Sequence, residues 1–233
     1  MKEINILGIK YGDTDIAGAV EYAVRMMEAQ DSGYVLVPSS DTVLAARKNR
    51  RLMEAFREAS LVLAGDRGIF AAAEILGEPL HYKMSGLDFA SALLARLSSE
   101  GRSFFLLGSK PQEVNEQAQR LALRYPGLKI AGAAVYPKMR FGQFVDDEEL
   151  IEQINLACPD LLLVCLSSPK QELWVNKTYS QLNAAMVLCI GDVTERKNKR
   201  HEQGFIKSFT QDPKTALKVP RMASAALIKR IFG

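Results

Sequence analysis

Leu161-Leu162-Leu163-Val164-Cys165-Leu166-Ser167-Ser168-Pro169-Lys170-Gln171-Glu172-Leu173-Trp174 carries the clearest signal of architecture in the chain. Its first six residues are all apolar. An apolar run of strand length, closed by Ser and Pro, reads as a strand with no solvent face, which is the mark of a sheet covered by helices on both sides. Such sheets are parallel and are built from βαβ units. Ser167-Ser168-Pro169 is then the turn, and Lys170-Gln171-Glu172 the first turn of the next helix.

The same alternation extends in both directions. With the strand at Leu161–Cys165, strand-like runs occur at Ile4–Ile9, Tyr34–Val37, Leu61–Leu63, Ser103–Leu107, Lys129–Ala134 and Ala185–Ile190. Between them lie helical patterns at about 40–48, 50–58, 68–76, 87–98, 111–125 and 147–157. A first helix, capped by Asp13 or Asp15, carries Ile16, Val20, Val24 and Met27 on one face. Pro111 is expected in the first turn of its helix, and the acids from Asp147 suit a helix N-terminus. The fold expected is an α/β, Rossmann-like, mostly parallel sheet with helices on both faces. A short basic helical appendage follows it.

Composition supports one folded body. The chain has 233 residues, 48% hydrophobic and 24% charged, close to the average for a folded domain. Its net charge of +3 hides an asymmetry. Residues 195–233 hold ten Lys and Arg against Glu195, Glu202 and Asp212, a balance of +7 that leaves −4 for the first 194. The expected division is therefore a domain at 1–193 and an appendage at 194–233, with the appendage drawn to anionic surfaces. Along 216–232 apolar and basic residues mix as in an interfacial helix. No apolar window reaches the ~20 residues of a membrane span, and the first residues lack the pattern of a signal peptide. Cys158, Cys165 and Cys189 lack metal-ligand spacing and read as buried thiols in a reducing cytoplasm. His81 and His201 suggest no metal pair. The basic tail lacks the interleaved aromatics and reader fold of a nucleic-acid binder.

In open α/β sheets ligands bind outside the carboxyl ends of the strands. The segments there are Val37-Pro38-Ser39-Ser40-Asp41, Ala64-Gly65-Asp66-Arg67-Gly68, Gly108-Ser109-Lys110-Pro111, Ser167 to Glu172, and Gly191-Asp192. All are polar. Gly108, Ser109 and Lys110 would set small residues at a helix start, which favours an anion such as a diphosphate. Lys170 offers a phosphate partner, and Gln171 and Glu172 offer groups to hold hydroxyls. No P-loop or dinucleotide fingerprint is present.

These segments together resemble the WecG/TagA/CpsF glycosyltransferases. The 161–174 stretch is similar to that family's strand and Gly-x-Pro-Lys-Gln-Glu-x-Trp loop. Pro38-Ser39-Ser40-Asp41, Leu61 to Gly68, Met84-Ser85-Gly86-Leu87-Asp88 and Phe105 to Pro111 resemble its other motifs in order and spacing. The resemblance implies inverting, metal-independent transfer of an N-acetylmannosamine-type sugar from a UDP donor to a polyprenyl-diphosphate-linked N-acetylglucosamine, without a cofactor. It also implies an aspartate base, oligomers, and a basic appendage meeting the inner face of the cell membrane. Carried to this chain, the base is Asp66. The substrate contacts are Ser39, Asp41, Arg67, Gly68, Lys83, Asp88, Gly108, Ser109, Lys110, Pro169, Lys170, Gln171, Glu172 and Asp192.

Departures from the family pattern fall in the same segments. The family's Asp-Gly pair is Gly65-Asp66 here, its threonine before Pro38 is Val37, its asparagine is Ser39, and the segment after Asp192 is shorter. Two readings therefore stand. One is an active transferase using Asp66 or Asp192 as base, and the other is a catalytically impaired paralogue serving as a binding or partner subunit.

Overall fold

The computed structural model describes residues 1–29, 33–137 and 147–191. The expected appendage, together with Asp192, His201 and the 216–232 segment, lies outside them. The chain begins with two strands where the sequence suggested one: β1 (Lys2–Ile6) and β2 (Ile9–Asp13) pair antiparallel, in a two-stranded sheet of their own. The expected strand Ile4–Ile9 thus contains the tip of a hairpin. Leu7 and Gly8 form it with φ of 56° and 90°, and Asn5 Oδ1 accepts from the Gly8 amide at 3.0 Å. Two-residue hairpin loops require positive φ. A leucine at such a position gives no turn signal in the sequence, so Ile4, Ile6, Leu7 and Ile9 read as one apolar run.

The other six strands form the expected sheet. They are β3 (Tyr34–Leu36), β4 (Leu61–Val62), β5 (Ser103–Gly108), β6 (Lys129–Val135), β7 (Leu161–Cys165) and β8 (Met186–Cys189). All pairs are parallel, in the order β4-β3-β8-β7-β5-β6. Every residue of β7 and β8 is buried, as the apolar runs require.

Side chains alternate cleanly between the two faces. Tyr34, Leu36, Leu162, Val164, Val187 and Cys189 enter one core with the hairpin, while Val35, Leu161, Leu163, Cys165, Met186 and Leu188 enter the other. The first core is roofed by α2 (Ser40–Ala46), α3 (Arg50–Glu58), α4 (Arg67–Leu76), α7 (Glu148–Ala157) and α8 (Lys170–Thr178). The second is covered by α1 (Ile16–Glu28), α5 (Gly86–Ser99) and α6 (Val114–Arg124).

Caps refine the helix limits. Asp15 caps α1 through the Gly18 amide at 2.8 Å. Asp13 instead accepts from the His81 amide at 2.8 Å and meets His81 Nδ1 at 2.6 Å. Pro111 lies in a turn ahead of α6 rather than in its first turn, since α6 begins at Val114 with Glu113 as its N-cap. Cys165 and Cys189 are buried as expected, but Cys158 is exposed, ending α7 at a φ of 42°. Among the described residues no helix is long and apolar enough to cross a membrane.

Candidate functional site

The carboxyl ends of β3, β4, β7 and β8 are laced together by side-chain hydrogen bonds. Asp66 stands at one end of the lacing, as the N-cap of α4. Its Oδ1 accepts from the Gly68 and Ile69 amides at 3.0 and 3.3 Å, and its Oδ2 accepts from the amide and hydroxyl of Ser40, each at 2.8 Å. A carboxylate has about four lone-pair sites, and four donors already occupy them. Gly68 permits this arrangement, since a Cβ there would come within 2.8 Å of Ser40 Cβ and Oγ. The starts of α2 and α4 are therefore in contact.

Gly65 explains the order of the Gly-Asp pair. A Cβ at this position would overlap the Pro38 carbonyl oxygen, so a side chain there would have to displace the loop after β3. The carboxylate stands one residue later, where it turns into the cap.

On the other side of Ser40 a chain of hydroxyls runs across the sheet edge. Ser39 Oγ lies 3.1 Å from Thr42 Oγ1, which lies 2.8 Å from Ser168 Oγ. Ser168 donates to Glu172 Oε1 at 2.8 Å, and Gln171 Nε2 reaches the same oxygen at 3.1 Å. Gln171 Oε1 then accepts from the Gly191 amide at 3.1 Å, which ties in the loop after β8. Gln171 and Glu172, expected to hold ligand hydroxyls, are 3% and 1% exposed and face inward. The first turn of α8 packs them on the sheet, and their polar atoms are used between loops. Glu172 Oε2 is buried without a partner. Burial pushes the Glu172 carboxyl above its usual range, against the opposing pull of the Gln171 and Ser168 hydrogen bonds.

The remaining candidates divide by location. Pro169 is exposed at the turn, and Lys170 places its ammonium 4.5 Å from the centre of the Tyr136 ring, just after β6. Burial first, and then the Asp147 carboxylate, push the Tyr136 hydroxyl up to about 12. Trp174 packs edge-on against the same ring at 6.0 Å, and Lys177 pairs with Asp147 at 3.1 Å. Gly108 is buried, with its carbonyl accepting from the Tyr136 amide at 2.8 Å; Ser109 is exposed. Lys110 pairs with Glu113 at 3.5 Å. The expected small-residue anion cradle is thus separated from the start of α6 by a turn.

Asp41 and Arg67 are exposed in the first turns of α2 and α4. Asp88 closes a capping box with Ser85 on α5, and Lys83 sits 5.7 Å above the Phe70 ring. The sequence reading placed Ser40 and Ser168 in the ligand-edge segments without giving them a contact, and it missed Thr42. Their only signal was two serines and a threonine clustered after one strand and a serine pair after another. Among the described residues no three His, Cys, Asp or Glu side chains are grouped to hold a metal ion.

Comparison with known proteins gives relatives that match along most of the chain. A curated protein of Staphylococcus aureus (strain NCTC 8325 / PS 47), named N-acetylglucosaminyldiphosphoundecaprenol N-acetyl-beta-D-mannosaminyltransferase, is 24% identical over 195 residues, covering 83% of this chain and 74% of its own. The protein of the same name from strain MRSA252 is 26% identical over 196 residues, with the same coverage. The family model for the glycosyl transferase WecG/TagA/CpsF family matches residues 4–196, from the hairpin past the last strand and through every laced loop. A match of that extent covers all of the described body but its first three residues, and the chain belongs to the WecG/TagA/CpsF family of glycosyl transferases.

Proposed function

We propose that the protein transfers an N-acetylhexosamine-type sugar, N-acetylmannosamine or a close relative, from a UDP donor to a polyprenyl-diphosphate-linked sugar in cell-surface polysaccharide synthesis. The observation that carries this reading is the hydrogen-bonded lacing of the loops after β3, β4, β7 and β8 at one sheet edge, inside the span of the family match. A preorganised edge of that kind holds donor and acceptor in register, and positioning contributes a large share of transfer catalysis. Arg67 and Lys170 are the cationic partners proposed for the donor diphosphate. Ser39 presents its oxygen to the sugars. Asp66 fixes the starts of α2 and α4; it could act as a base only after Ser40 Oγ swung away from Oδ2. Transfer with inversion and without a metal, assembly into homo-oligomers, and attachment of the basic tail to the inner membrane face belong to the same proposal.

Calorimetric titration with UDP and with UDP-N-acetylmannosamine, followed by an assay for released UDP on adding a short-chain lipid-diphosphate-N-acetylglucosamine, tests this. Binding with acceptor-dependent release is the expected result. Binding without release would leave a nucleotide-sugar-binding paralogue instead.

A further inference from the structure

We propose that the acceptor hydroxyl loses its proton to Glu172 through the hydroxyl chain Ser39, Thr42 and Ser168. This rests on the transfer reading above and names the proton path of that same site. The direction of the chain follows from counting protons. An ionised carboxylate only accepts, so Ser168 spends its single hydroxyl proton on Glu172 Oε1. The 2.8 Å contact between Ser168 and Thr42 must then be donated by Thr42, and the 3.1 Å contact between Thr42 and Ser39 by Ser39. Every proton points toward Glu172. The open end is Ser39 Oγ, half-buried, with one lone pair receiving the Thr42 amide at 3.4 Å and one left for an incoming hydroxyl.

The step balances without a further reagent. The acceptor oxygen bonds to the anomeric carbon as the bond from that carbon to the UDP oxygen breaks, and the electron pair leaves with UDP. The acceptor proton moves to Ser39, the Ser39 proton to Thr42, the Thr42 proton to Ser168, and the Ser168 proton to Glu172 Oε1. The reverse shift returns the proton to water after product release. Asp66, by contrast, has four donors in place and meets this chain only through the Ser39-Ser40 backbone.

Glu172 is suited to take a proton. It is 1% exposed and Oε2 lacks a partner, so its negative charge is poorly compensated. A base whose affinity for protons is raised by burial works closer to neutral pH than an ordinary carboxylate. Among the described residues the Cys189 thiol on β8 is the titratable group that feels the Glu172 charge, while Cys165 on β7 enters the opposite core. Burial, and then the Glu172 charge, hold Cys189 well above its ordinary value, so it does not compete. Glu58 on α3, packed on the same helix, bonds Asn176 instead. Acting through Ser168, Glu172 is a positioning residue and proton store.

The experiment is acceptor-dependent UDP release by the full chain between pH 5 and 9, for the wild type, Glu172→Gln, Ser168→Ala and Thr42→Val. Glu172→Gln is expected to lower kcat by about 10²–10³-fold, to leave the donor KM within about threefold, and to remove the acid limb of the kcat/KM profile. Ser168→Ala, at an exposed position, and Thr42→Val should lose the same limb, and they test the path even if the Glu172 variant does not fold. A Glu172→Gln protein, or a Ser168→Ala protein, that keeps kcat within about threefold and keeps the acid limb overturns the proton path alone. Absence of UDP release by the wild type overturns the transfer reading and this inference with it.

Discussion

Replacing Asp66 with Asn tests whether this side chain frames the sheet edge. The carboxylate takes bonds at 2.8, 2.8, 3.0 and 3.3 Å from Ser40 and from the first turn of α4. Asn can keep one oxygen toward the Gly68 and Ile69 amides, but its amino group then faces the Ser40 N–H, donor against donor. The Ser40 hydroxyl can turn and accept; the Ser40 amide cannot. Hydrogen bonds to a charged partner contribute about 1.5–3 kcal/mol, and an unmet buried donor costs about 1–3 kcal/mol. Ser40 is 1% exposed, so little water reaches the lost site. The expected loss is about 2–4 kcal/mol, or a Tm fall of roughly 4–16 °C for a chain of this size. Ser40→Ala removes only the hydroxyl and should cost about 1 kcal/mol. The double variant should cost less than the two single changes together by at least about 0.5 kcal/mol, because both act on one shared contact. Thermal unfolding of the three variants reads all of these values. An Asp66→Asn protein within about 0.5 kcal/mol of wild type would refute the framing role and return Asp66 to the position of a free base.

Restoring the family order with Gly65→Asp and Asp66→Gly should destabilise by about 1–3 kcal/mol, the usual cost of overpacking, because the new Cβ overlaps the Pro38 carbonyl; urea midpoints would read it. Burial raises Glu172, so the stability its neutral form contributes is full below about pH 4.3 and is lost as pH rises through the higher folded value. Glu172→Gln should therefore gain on wild type in urea titrations as pH goes from 4 to 8. Asp13 behaves in the opposite sense. Burial pushes it up, but the hydrogen bonds from the His81 side chain, the His81 amide and the Tyr82 amide outweigh that and hold it low. Its contribution is present above about pH 3.9 and lost as pH falls through the lower folded value. Asp13→Asn should be less stable at neutral pH and should show a shallower acid limb below about pH 4, followed by circular dichroism.

Much of the fold was legible because strand and helix patterns are local. Leu161–Cys165 and Arg50–Glu58 have the limits their patterns suggested, and the remaining parallel strands and sheet-covering helices differ from expectation by a few residues at their ends. The hairpin was not legible, since Leu7 took a backbone conformation that its residue type does not signal. The edge on which the polar loops gather followed from the all-parallel direction of the strands.

The layered α/β architecture and the edge of the sheet that carries the polar loops could be read locally, because burial on two faces leaves a period and a composition that a short window can display. What those loops do to one another depends on how the strands assemble. Thr42 meets Ser168 across 126 positions of chain because β3 and β7 flank the same strand, β8, and run parallel to it, so that their loops emerge at one edge. Asp66 spends its lone pairs on Ser40 because Gly68 lets two helix starts touch. Contacts of that kind depend on strand order and on the shape of neighbouring backbone, and no local pattern records either.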